Sequence, residues 1–203
     1  MNRNEANMLS ILEIIERYDP TTYMHSVNVS KMVNIYCKYY NVVNKEDIVY
    51  GALLHDVGKI FVDKRILNKP GKLTVEEFAE MRKHTIYGYE YLKSSHIPQS
   101  IYIYTLYHHH RVDGLNELYD FSKYIRNKGD LINNLSNSQL NKIYLLNICD
   151  SFEAMISARR SYKDSIDMDD AILELTNGKN TQFNASVTDK FIKIYNQYIK
   201  KYA

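Results

Sequence analysis

Only three prolines and seven glycines interrupt the 203 residues of this chain, and this scarcity of breakers constrains its fold more than any other feature. In a helix interior proline costs about 3 kcal/mol and glycine about 1 kcal/mol relative to alanine, so long segments without them are free to run as helices. Apolar residues recur at helical spacing within those segments. Met8, Ile11, Leu12 and Ile15 form one stripe before a break at Asp19-Pro20. Val29, Met32, Val33, Tyr36 and Tyr40 form a second, with His25 one turn ahead of it. The segment from Asp47 to Ile60 reads as a mostly apolar helix, and Leu67 to Lys72 as a turn. Thr74 and Glu77 have capping-box spacing and open a helix toward His84. Pro98 begins the helix that leads to His108 and His109. From Asp113 to about Asn137 the chain is polar and reads as a long loop or short helices. Ile143, Leu146, Cys149, Phe152 and Ile156 mark a strong helix, and Phe191, Ile194, Tyr195, Tyr198, Ile199 and Tyr202 a C-terminal one. Neither an internal repeat nor a strand pattern is visible. The expectation is one compact, multi-helix, all-α domain over residues 1–203.

Charge and composition exclude several partners. A net charge of +2 gives no basis for binding polymeric nucleic acid or a membrane surface. No apolar run approaches a membrane span, and Met1-Asn2-Arg3-Asn4-Glu5 lacks a signal-peptide core; a cytoplasmic location is expected. Cys37 and Cys149 each sit in an apolar helical pattern and read as buried reduced thiols in preference to a disulfide.

The chemistry centres on His55-Asp56. An imidazole and a carboxylate side by side form a weak metal-ligand signal by themselves. His25, His84, His108, His109 and Asp150 surround the pair in chain order and supply enough donors for two metal ions. Six of the seven histidines are accounted for if His110 is counted with the His108-His109 run; His96 is left over. Asp56 has two oxygens and can bridge two ions while His55 ligates one. Asp150 lies between Leu146 and Ala154 on an apolar helix, where an unpaired carboxylate would be costly; Arg159 and Lys142 are its alternative partners. Imidazole and carboxylate together suit iron, manganese, zinc or nickel. Lys59, one turn after His55, is placed to contact an anion beside the metals. Neither a glycine-rich phosphate loop nor a serine or cysteine nucleophile with a base is present. Water activated by two ions about 3.5–4 Å apart is the remaining nucleophile, and phosphoester hydrolysis the reaction class that this ligand set serves best.

The order His25, His55-Asp56, Asp150 resembles the HD superfamily of metal-dependent phosphohydrolases. The run from His55 to Ile60, the stretch from Ile66 to Thr74, Glu77-Phe78, Met81 to His84 with Gly88, His108-His109 followed by Asp113-Gly114, and Asp150 to Ser157 are similar to its HD-GYP subfamily. That resemblance runs from about Tyr23 to Lys163. It implies an all-α fold, metal ligands at His25, His55, Asp56, His84, His108, His109 and Asp150, and iron or manganese as the metal. It makes Lys59 a phosphate-contacting or catalytic residue, with Asp56 as the other catalytic group. Arg159 and Arg160 compete for the role of the arginine that contacts substrate phosphate, and Lys163 would be a further contact. Thr21 and Thr22 stand where some relatives carry a third-metal glutamate, which favours two ions. Leu115-Asn116-Glu117-Leu118 replaces the name-giving Gly-Tyr-Pro, and His110 replaces the usual glutamate.

The function implied is hydrolysis of a cyclic dinucleotide, foremost cyclic di-GMP, to a linear dinucleotide or GMP by a hydroxide shared between two metals. The alternatives are a nucleotide phosphohydrolase of the broader superfamily, or a catalytically silent metal- or nucleotide-binding regulatory module. A homodimer or a regulatory protein partner would supply control. The C-terminal stripe is assigned to core packing ahead of a dimer surface.

Overall fold

A computed structural model describes residues 3–115, 124–157 and 166–199. Among them the chain is helical, and its β-content is one isolated bridge between Lys179 and Phe183. Ten helices follow in order: α1 (Arg3–Tyr18), α2 (Pro20–Tyr39), α3 (Lys45–Leu54), α4 (Lys64–Leu67), α5 (Val75–Arg82), α6 (His84–Ser94), α7 (Gln99–Tyr107), α8 (Asn137–Ile156), α9 (Met168–Asn177) and α10 (Ala185–Ile194). No described helix is long and apolar enough to cross a membrane.

Local signals explain most of the boundaries. Asp19 caps α2, its carboxylate accepting from the amides of Thr21 and Thr22, with Pro20 in the first turn. Thr74 and Glu77 form the expected reciprocal box at α5. Ser136 and Gln139 form a second at α8, which the sequence reading did not single out. Pro98 precedes α7 as expected. Helix α9, capped by Asp167, was not anticipated.

The apolar stripes pack into two adjoining clusters. Val29, Val33 and Cys37 of α2 meet Ile143, Leu146 and Cys149 of α8, with Leu175, Phe183 and Phe191 behind them. Met8, Ile11 and Ile15 of α1 pack with Leu54, Val57, Tyr89 and Leu106. Helices α3 and α7 contribute to both, so their C-terminal ends meet between the clusters. Phe191, Ile194 and Tyr195 are buried within the chain, in keeping with core packing for that part of the C-terminal stripe. Both cysteines are free and buried. Burial pushes the Cys37 thiol up to about 11 and Cys149 well above its usual range, which keeps both protonated and unreactive.

One expectation changes. The segment from Asp47 to Ile60 is not one helix: α3 stops at Leu54, and Val57–Phe61 tightens into a 3-10 turn. His55 and Asp56 therefore lie at the break. The polar segment before Asn137 carries short helices, one of the two forms expected of it, and is anchored to the core. Asp130 is fully buried there and accepts from Tyr89 Oη (2.7 Å), Gln99 Nε2 (2.5 Å), Asn127 Nδ2 (3.1 Å) and Tyr102 Oη (3.2 Å). It clips two short turns, Lys128–Asp130 and Ile132–Asn134, onto α6 and α7.

Replacing Asp130 with Ala would strand the buried hydroxyls of Tyr89 and Tyr102. The expected loss of stability is about 3 kcal/mol, read by urea denaturation; a loss below about 0.5 kcal/mol would show that Asp130 is no anchor.

Candidate metal centre

Three of the histidines are set by one local device. His55 follows the end of α3 and donates Nδ1–H to the Ala52 carbonyl at 2.7 Å. His84 follows the end of α5 and donates to Met81 at 2.7 Å. His108 follows the end of α7 and donates to Thr105 at 2.9 Å. Each ring thus satisfies a carbonyl that a helix end would otherwise leave open. The same bond fixes the tautomer and directs Nε2, as a bare lone pair, into the site.

Those lone pairs converge on Asp56. His84 Nε2 lies 3.3 Å and His108 Nε2 3.9 Å from Oδ1. His55 Nε2 lies 3.3 Å and His25 Nε2 3.6 Å from Oδ2. Asp150 joins the Oδ2 side, its Oδ1 standing 2.9 Å from His25 and 3.8 Å from His55. His109 Nδ1 is 3.8 Å from the other oxygen of Asp150. One carboxylate therefore stands between two groups of nitrogens. Three sets of donor atoms lie within 4.8 Å of one another: His84 with His108 and His109, His25 with His55 and Asp150, and His55 with Asp56 and His108.

Two observations show that these residues suit cations. The Nε2 atoms of His84 and His108 face each other at 3.1 Å although both rings carry their proton on the opposite nitrogen. His55 Nε2 is buried without a hydrogen-bond partner. Lone pairs in that arrangement repel unless a positive charge lies among them. Protonation is a poor alternative, because burial lowers His84 to about 3 and His109 to about 4, and holds His108 well below its usual value. Asp56 and Asp150 remain ionised: burial opposes it, but Lys59 and His55 around the first, and His25 around the second, outweigh burial.

His25 is held differently. Its Nδ1 meets Glu153 Oε2 at 2.5 Å, and Asn28 Nδ2 donates to the other Glu153 oxygen at 3.0 Å. Burial lowers the His25 pKa, but the bonds to Asp150 and Glu153 prevail and raise it to about 9. Glu153 is 4 % exposed and was missed in the sequence. Its signal was its place three residues after Asp150, on the same face of α8. Lys142, one alternative partner for Asp150, instead donates to the Asn44 carbonyl.

Lys59 lies on the 3-10 turn, its Nζ 2.5 Å from Asp56 Oδ2. It lines a cavity of about 610 Å³ together with Asp19, His25, Asn68, Lys72 and His109. Asp19 also escaped notice; its carboxylate is engaged as the cap of α2 and with the Thr22 hydroxyl at 2.6 Å. Arg159, Arg160 and Lys163 lie outside the described residues, as do residues 116–123. His96 stands apart, in left-handed backbone (φ 57°) after α6.

Gly58 follows Asp56 by two residues, within the 3-10 turn. It permits contact: a Cβ there would lie 1.9 Å from the His84 carbonyl oxygen and 2.5 Å from the Gly88 nitrogen. The turn that carries Asp56 is thus pressed directly against the start of α6.

Residues 22–155 match the family model described as HD domain. A cyclic di-GMP phosphodiesterase of Thermotoga maritima is 31% identical over 192 residues, 92% of this chain and 48% of the relative. The chain thus spans about half the length of that curated relative. The HD domain of the L. monocytogenes phosphodiesterase PgpH, solved with cyclic-di-AMP, superposes with a TM-score of 0.60 at 22% identity, covering 93% of this chain and 97% of that one. An HDG"Y"P protein from Bdellovibrio bacteriovorus gives 0.63 at 16% identity, over 95% and 62%. The chain belongs to the HD domain family, and its relatives support the HD-GYP subfamily within it.

Gly58→Ala is expected to displace the Asp56 turn and cost about 3 kcal/mol or more in thermal or urea unfolding. A variant as stable as the parent would refute the tight contact.

Proposed function

We propose that this chain is a metal-dependent phosphodiesterase domain that hydrolyses a cyclic dinucleotide, foremost cyclic di-GMP. The observation that carries the reading is Asp56, whose two oxygens face two separate groups of buried imidazoles. His25, His55 and Asp150 would hold one divalent cation with Asp56 Oδ2. His84, His108 and His109 would hold a second with Oδ1. Iron or manganese is the expected metal, since nitrogen and carboxylate donors suit both. Cations bound there would act as Lewis acids toward a phosphodiester and activate water for attack at phosphorus.

The side chains around them have distinct tasks. Glu153 orients His25 and enriches its ring with electron density. Lys59 is within the cavity and can transfer its hydrogen bond from Asp56 to a phosphate oxygen, matching charge with charge. Lys72 adds a second cation to the cavity wall. A space of about 610 Å³ falls within the usual range for a nucleotide-sized ligand. Either Arg159 or Arg160, together with Lys163, completes the reading as a phosphate contact. Relatives named as cyclic di-GMP phosphodiesterases support this substrate class.

The test pairs elemental analysis with turnover. Two iron or manganese ions per chain and release of linear dinucleotide or GMP from cyclic di-GMP are expected. Asp56→Ala should abolish both, and chelation should remove activity that added manganese restores. Loaded protein that leaves cyclic di-GMP intact would refute the proposal. Glu153→Ala should keep the fold while weakening metal affinity about 10–100-fold, measured by chelator competition; unchanged affinity would remove Glu153 from its positioning role.

A further inference from the structure

Beside the metal cavity lies a second one of about 510 Å³, and the two share Ser151, Ala154 and Gln182 as lining. Ser151 and Ala154 follow Asp150 by one and four residues on α8, and both are small. Gln182 Nε2 lies 3.4 Å from Ser151 Oγ. Beyond this low ridge the second cavity is bordered by Arg111, Glu174 and Phe183. Its walls are tied to the centre by tertiary contacts. The Asp113 amide donates to the Thr181 carbonyl at 2.9 Å. The Arg111 guanidinium is fixed on Asp113 through Nε at 3.0 Å and Nη2 at 2.6 Å. Phe183 is 5 % exposed and packs so closely on Gly178 that a Cβ there would meet its ring at 2.6 Å.

We propose that this cavity is the subsite for the nucleobase distal to the bond being cleaved, and that Glu174 makes it selective for guanine. The inference rests on the cyclic-dinucleotide reading above. A cyclic dinucleotide carries two bases on one compact ring, so a scissile phosphate at the metals requires an adjacent space for the far nucleoside. The small side chains of Ser151 and Ala154 leave that path low. A guanidinium held in one plane by a carboxylate offers a flat surface for stacking a base, and Phe183 supplies an apolar floor. The choice of base follows from donors and acceptors. Guanine presents N1–H and the N2 amino group side by side, a pair that one carboxylate accepts together. Adenine presents a bare N1 beside its amino group, so a carboxylate there faces a lone pair and loses one bond. A glutamine at the same place matches adenine, with an acceptor for the amino group and a donor for N1.

The experiment measures kcat/KM on metal-loaded protein for cyclic di-GMP, cyclic di-AMP and bis(p-nitrophenyl) phosphate, a phosphodiester without bases. The parent should prefer cyclic di-GMP. Glu174→Gln should lower the ratio of cyclic di-GMP to cyclic di-AMP turnover by about tenfold or more, and Glu174→Ala should lower turnover of cyclic di-GMP without a gain on cyclic di-AMP. Cleavage of the base-free diester should stay at the parent rate in both, which separates a lost subsite from a damaged centre or fold. An unchanged ratio in Glu174→Gln, or a parent that turns over both cyclic dinucleotides equally, would overturn the guanine subsite while leaving the phosphodiesterase reading intact. A parent that cleaves the base-free diester and neither cyclic dinucleotide would overturn the substrate reading and the subsite together.

Discussion

The centre depends on a hydrogen bond made three times: an imidazole at a helix end donating back to the carbonyl three residues earlier. Each bond contributes about 1 kcal/mol to stability, but its larger effect is directional. With Nδ1 committed to the backbone, Nε2 has one orientation and no proton. Helix ends also carry partial negative charge, so α3, α5 and α7 terminate where a cation is favoured. Burial then holds His84, His108 and His109 below the usual imidazole range, so those rings stay neutral.

A second constraint brings those ends to one point. Gly58 and Gly88 let the Asp56 turn rest on the backbone of α6, with the Gly58 position opposite the His84 carbonyl. Side chains on both elements would hold them further apart, and Asp56 Oδ1 would lose its 3.3 Å approach to His84. On the opposite side, α2 and α8 meet through their apolar stripes, and this packing places His25 beside Asp150 and Glu153. The cluster is thus joined from two apolar cores, with Asp56 at their boundary.

The apolar periodicity made the main helices legible, and the break at Asp19-Pro20 and the capping signal at Thr74 were legible for the same reason: they depend on neighbours within one turn. The break after Leu54 was hidden because Val57 and Ile60 continue an apolar pattern that suits either a helix or a 3-10 turn. Asp130 was hidden in a polar stretch, since its partners Tyr89, Gln99 and Tyr102 come from helices well before it in the chain. Glu153 and Asp19 are buried by packing between helices, which local spacing does not reveal.

What the sequence determined by itself is the inventory: an all-α chain and an ordered set of imidazoles and carboxylates, each fixed by local spacing. Tertiary structure decided the allocation of those donors. Only packing could put His25 on one oxygen of Asp56 and His84 and His108 on the other, because these contacts cross between helices. The same holds for the role of Gly58, which contact with α6 shows to be a clearance. Spacing along one helix specifies direction; distance between helices follows from the side chains that keep them apart.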